Sequence, residues 1–247
     1  MQRARRLALI AVPALVGSLA LTGCRSQPGT ALYVGSAQYS EKYVDQLADQ
    51  LGKVSALNRG DGRRTITQWL VERDLGKRLV ADKHWPKPTV DEQAAASEIE
   101  NALPASNRSV EPLRPLIRLY AEYGAYRSAV QEHVAPAQPT DADYTELYQR
   151  YKDAGLLPAG MDEATFRSSL PDRDQQLIRP NLAIRELYRE AIRKTNVTVN
   201  PKYALTELPL LETNSKRSIV AVPLNSKAGE PAVVPAATEQ SQVPTNG

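Results

Sequence analysis

A chain of 247 residues with one cysteine and two histidines has no material for a disulfide framework and few of the soft ligands that transition-metal centres use. Its formal charge of +3 comes from 31 basic and 28 acidic residues, interleaved along the sequence. That pattern describes a solvated surface and argues against a nucleic-acid binder, which needs a concentrated basic face.

The first predicted element is a leader. Arg3, Arg5 and Arg6 precede an uncharged apolar run from Leu7 to Leu21. A run of about 15 residues is short for a membrane span, which takes ~20. Basic start, apolar run and small residues at the cut make a secretory signal peptide. The run ends in Leu21-Thr22-Gly23-Cys24, which resembles the lipobox of bacterial lipoproteins. The resemblance implies that residues 1–23 are removed and that Cys24 carries a diacylglyceryl group and an N-acyl chain. The chain would then be lipid-anchored on the extracytoplasmic face of the cell membrane. The three leader arginines account for the whole positive excess, so the remainder is formally neutral.

Residues 24–30 read as a short polar tether, and Ala31-Leu32-Tyr33-Val34-Gly35 as a short strand. Ser40 is placed to cap a helix whose apolar stripe is Tyr43, Val44, Leu47, Leu51 and Val54. The stretch Asn58-Arg59-Gly60-Asp61-Gly62 reads as the flexible end of that helix. A second helix is predicted from about Thr65, through Ile66, Trp69, Leu70, Leu75, Leu79 and Val80, to the prolines Pro86 and Pro88. Thr89-Val90-Asp91-Glu92 has the form of a capping box for a third helix, ending near Leu103.

Pro112 opens a long helix to about Val134, broken by Pro136 and Pro139. Thr140-Asp141 caps the next helix, with Tyr144, Leu147, Tyr148 and Tyr151 at helical spacing. A short helix carries Phe166 and Leu170. A last helix spans about Arg173 to Lys194, where Pro180 either begins the helix proper or kinks it. Val197-Thr198-Val199-Asn200-Pro201 is extended and β-branched, a candidate partner for the Leu32–Val34 strand, and Ile219 to Val222 is another possible strand. The expected fold is mainly α: a single multi-helix domain over residues 31–211 with one or two short β-strands. Residues 212–247, rich in Pro, Ala, Ser, Gln and Thr, read as a low-complexity tail too poor in large apolar groups to order.

Enzyme signatures are missing from the sequence. His84 and His133 have no partner at metal-ligand spacing, and no nucleophile elbow or phosphate-binding glycine pattern occurs. The acid pairs Asp141/Asp143 and Asp162/Glu163 fall where helices start, which suits capping better than acid–base work. Eleven tyrosines stand against one phenylalanine. Tyr120, Tyr123, Tyr126, Tyr144, Tyr148 and Tyr151 present apolar rings with polar tips, suited to a helix–helix seam, a groove for extended peptide, or plain packing at the rim of the core.

The order of elements resembles the N-terminal chaperone domain of the SurA, PrsA and trigger-factor group, in its actinobacterial lipoprotein form. The residues that carry the resemblance are the lipobox, Tyr39-Ser40 before the first helix, and Ile66-x-x-Trp69-Leu70-Val71 in the second. Pro139-Thr140-Asp141-Ala142-Asp143 before the tyrosine helix and the ending Val197-Thr198-Val199-Asn200-Pro201-Lys202-Tyr203 complete it. It implies a non-catalytic holdase without cofactors that binds unfolded or newly exported proteins. An envelope scaffold of the same fold, binding one dedicated partner, is the alternative. No segment has the length and strand content of the parvulin isomerase domain that many relatives carry, so no catalytic residue transfers. The peptide contacts of the family are diffuse and assign no residue here.

Overall fold

The computed structural model describes residues 28–104 and 109–224. The lipobox Leu21, Thr22, Gly23 and Cys24 lies outside the described residues, as does the chain after Leu224. The described chain is mainly helical. Its strands are β1 (Thr30–Val34), β2 (Ala37–Ser40), β3 (Val197–Val199), β4 (Glu207–Glu212) and β5 (Ser218–Pro223). Its helices are α1 (Glu41–Val54), α2 (Arg59–Asp82), α3 (Glu92–Ala102), α4 (Arg114–Glu132), α5 (Asp141–Asp153), α6 (Glu163–Ser169) and α7 (Asp172–Thr195).

All five residues of β1 are buried because it is the central strand of a sheet ordered β2-β1-β3, antiparallel throughout. Gly35, at φ +61°, is the first residue of the two-residue turn into β2, a position that favours glycine. A side chain there would collide with the Arg78 guanidinium. The pairing of β1 with β3 sets Leu32 opposite Val199 and Val34 opposite Val197. Asn200 locks this junction. Its backbone N–H donates to Ala31 O at 2.8 Å and its side-chain amide to Thr30 O and Glu41 Oε1. The following Pro201–Tyr203 turn then buries the Tyr203 ring. The Val-x-Val-Asn-Pro-x-Tyr ending is therefore a strand-and-latch unit that ties one end of the fold to the other.

The helices pack around Leu47, Ile66, Leu70, Leu75, Leu116, Leu119, Ile178 and Tyr188, all essentially without exposure. α2 and α4 approach closely at Gly76, where an added Cβ would lie 3.0 Å from the Tyr126 Cβ.

Several expectations are corrected. Asn58 to Gly62 does not end the first helix. Asn58 accepts from the Asp61 amide at 3.0 Å and caps α2, and Arg59 and Arg63 pair with Asp49 and Asp45 on α1. Asp91, not Thr89, caps α3, its carboxylate reaching the Ala94 amide at 2.8 Å while Thr89 stays outside the helix. Pro180 lies well inside α7 and does not begin it. Thr30 belongs to β1 and not to a tether. The boundary drawn at residue 211 falls inside a hairpin. β4 and β5 pair antiparallel and bury Leu208, Leu210, Ile219, Val220, Val222 and Leu224 against the helices, so residues 212–224 are part of the fold.

Candidate functional site

The α2–α3 connection and one face of α4 enclose a shallow groove of about 510 Å³. Pro86 and Pro88 keep the connection non-helical. The facing positions of α4 are small: Ala121, Gly124, Ala125, Ser128 and Ala129. Their spacing of three and four residues puts them on one helix face. His133 lines the groove and stacks on Trp85 at 4.9 Å between ring centres. Gly124 opens the floor, since a Cβ there would meet nothing within 4 Å.

The tyrosines do not line this groove. Tyr120 packs tilted against Trp69 at 5.3 Å, Tyr123 stacks on it at 5.4 Å, and Tyr126 is buried beside Lys77, all within the α2–α4 seam. Tyr148 and Tyr151 pack on Phe166 between α5 and α6. Of the three roles open to them, these five rings fill helix–helix seams.

The acid pairs sit at helix starts and are engaged there. Asp143 and Thr140 form a reciprocal capping box, Asp141 pairs with Arg167 at 2.6 Å, and Asp162 accepts from the Thr165 amide at 2.7 Å. That amide holds the Asp162 carboxyl below its usual range. His84 and His133 each place Nδ1 against a carbonyl of the preceding helical turn, Ala81 and Ala129. Among the described residues no cluster of three or more His, Cys, Asp or Glu is placed to hold a metal ion, and no helix is long and apolar enough to cross a membrane.

Sequence reasoning missed the charges buried in the middle of α2. Glu72, Arg73 and Asp74 follow one another and are all buried. Arg73 and Asp74 bracket the Tyr39 hydroxyl, and Glu122 closes the set from α4 at 3.3 Å from Arg73. Burial and the Asp74 carboxylate push the Tyr39 hydroxyl up, against the lowering effect of Arg73. Glu72 points to the other side, towards Gln68, Arg127, Tyr123 and Tyr188. Burial pushes its carboxyl up to about 7, against the opposing pull of Arg127 and Gln68. A shifted carboxyl beside a cavity is a common mark of catalysis. This cavity holds only about 10 Å³, room for one water at most and none for a substrate. One signal was available: three consecutive charges between Val71 and Leu75 cover about 200° of a helix, too wide an arc to stay solvated on a central helix.

No family model, curated protein or solved structure matches this chain.

Proposed function

We propose that the protein is a lipid-anchored, non-catalytic, chaperone-like binder on the extracytoplasmic face of the membrane, taking extended segments of exported proteins. The SurA-like order of elements and the lipobox support this reading. The observation that carries it is the open groove on α4. A small-residue floor lets an extended backbone approach closely, and the walls formed by Pro86 and Pro88 supply apolar contact without demanding one sequence.

Two variants test the reading. Gly124→Leu fills the groove while improving helix propensity, so its thermal midpoint should stay level or rise. Its binding to an array of extended peptides should fall by about tenfold or more, the cost of losing a contact of roughly 1.4 kcal/mol or more. Unchanged peptide binding rejects the groove. Separately, Cys24→Ser should move the protein from the membrane to the soluble fraction, because each acyl CH2 contributes about 0.8 kcal/mol to anchoring. Retention in the membrane fraction rejects the anchor.

A second reading, a scaffold for one dedicated partner, is favoured by the sparse apolar surface. Among the described residues only Leu156 and Leu177 are exposed large hydrophobics. Crosslinking in cells separates the two readings: many clients support the first, one stoichiometric partner the second.

A further inference from the structure

Glu72 is 2% exposed and lies where α2, α4, α7 and β4 meet. Every charged or titratable neighbour can be named. From its own helix, Gln68 donates its amide to Glu72 Oε1 at 2.8 Å, and Arg64 holds Glu212 of β4 at 3.3 Å. From α4, Arg127 comes to 3.5 Å of Oε2, while the same guanidinium nitrogen donates to the Tyr123 hydroxyl. From α7 comes the buried Tyr188 hydroxyl, and from β4 the Glu212 carboxylate, which opposes a second negative charge. β5 carries no titratable side chain. An ionised Glu72 thus has one close donor and one cation beyond the 2.7–2.9 Å of a charge-assisted hydrogen bond.

The Gln68 amide also reaches Pro209 O at 3.4 Å, so one side chain bridges the Glu72 carboxyl to the β4 backbone. Leu210 of β4 lines the small cavity beside Glu72. The three helices around Glu72 are pinned along the core. The hairpin packs on α7 and on the middle of α2, with charged attachments at Arg64–Glu212 and Arg150–Glu207. β4 covers one side of the small cavity through Leu210, so its displacement opens the carboxylate to water.

We propose that the β4–β5 hairpin is a proton-controlled latch: with Glu72 protonated it closes on α2 and α7, and loss of that proton loosens it. The direction follows from linkage. Burial raises the closed-state value from the ordinary 4.5 to about 7. The closed latch therefore has its full advantage below 4.5. It loses that advantage about tenfold per pH unit up to near 7 and changes little beyond.

Amide hydrogen exchange on the full mature chain with Cys24→Ser, corrected for intrinsic rates, tests this from pH 5 to 8. The opening constant of β4 and β5 amides should rise about tenfold per pH unit and level off near 7. Amides of Leu70 and Val71 in α2 should open far less often at every pH. Glu72→Gln should abolish the slope and keep the hairpin protected at pH 8. A flat wild-type profile overturns the latch, and so does a slope that survives in Glu72→Gln. Equal opening constants for the hairpin and α2 also overturn it, because the whole fold would then be responding. Should Glu72→Gln not fold, a carboxyl-carbon titration of Glu72 in the otherwise unmutated chain decides: ionisation below pH 5.5 with the hairpin still protected overturns the proposal.

Discussion

In an Arg185→Leu variant the urea midpoint at neutral pH is expected to fall by the equivalent of about 3–5 kcal/mol. Arg185 of α7 is 5% exposed and gathers three carboxylates. It donates to Asp143, to Glu146 at 3.2 Å and to Glu186 at 2.9 Å. Burial alone pushes the Asp143 carboxyl up, and Arg185 with the Thr140 cap more than reverses this, holding it below its usual range. A carboxyl depressed in the folded state stabilises the fold above its ordinary value and loses that contribution as pH falls through the folded one. Removing the guanidinium leaves Asp143 buried without its counter-charge, so its carboxyl moves up instead. The deficit of the variant should then shrink as pH is lowered towards 4. Adding Asp143→Asn should recover part of the loss, since the uncompensated charge goes with it. A shift below about 1 kcal/mol at neutral pH, or a deficit that does not change with pH, rejects this account.

The second large effect is expected at Gly76. Gly76→Leu should destabilise by about 2–3 kcal/mol, through overpacking where α2 meets α4. An added Cβ already sits 3.0 Å from the Tyr126 Cβ, and the Tyr126 backbone is only 3.5 Å away. The first atom of a new side chain is tolerable after a shift of a few tenths of an ångström. The next three have nowhere to go. Gly76→Ala should therefore stay within about 1 kcal/mol of the parent, because the gain in helix propensity offsets the crowding. Thermal or urea unfolding of both variants checks the contrast. Equal stabilities for Ala and Leu would show that the seam opens freely. The same leucine at Gly124 meets open space. Two glycines in one helix pair thus differ in what they are for, one admitting a neighbouring helix and the other leaving a surface bare.

Helices were legible where an apolar stripe and a cap agreed. Val44, Leu47 and Leu51 face the core behind Ser40, and Leu147 does so behind Thr140, both helices starting at the predicted cap. The β1–β3 pair was legible as strands because Leu32, Val34, Val197 and Val199 are apolar or β-branched, and its register became certain only through Asn200. The early start of α2 was hidden because Arg59-Gly60-Asp61-Gly62 has the composition of a turn, and its helical state depends on cap and ion pairs with α1. The hairpin was hidden for a similar reason. Ile219 to Val222 alone is a short apolar run amid Pro, Ser and Lys, and only its packing on α7 makes it part of the core. The groove needs the α2–α3 connection laid over α4, a long-range fact no local pattern records. The tyrosines were visible as a group, but their division between two seams depends on Trp69 and Phe166 being where they are.

The placement of β1 between β2 and β3 also constrains how the protein is made. β2 is available within a few residues, but β3 is synthesised only after α1 to α7. Until then one edge of a strand destined for full burial stands open, in every incomplete chain, to any other extended backbone. Closing that gap means ordering nearly the whole described chain before the pairing returns any stability, which makes the final step slow. A chain delivered amino terminus first thus stays open to mispairing until its last helix has emerged, and Val197–Val199 decides when that exposure ends.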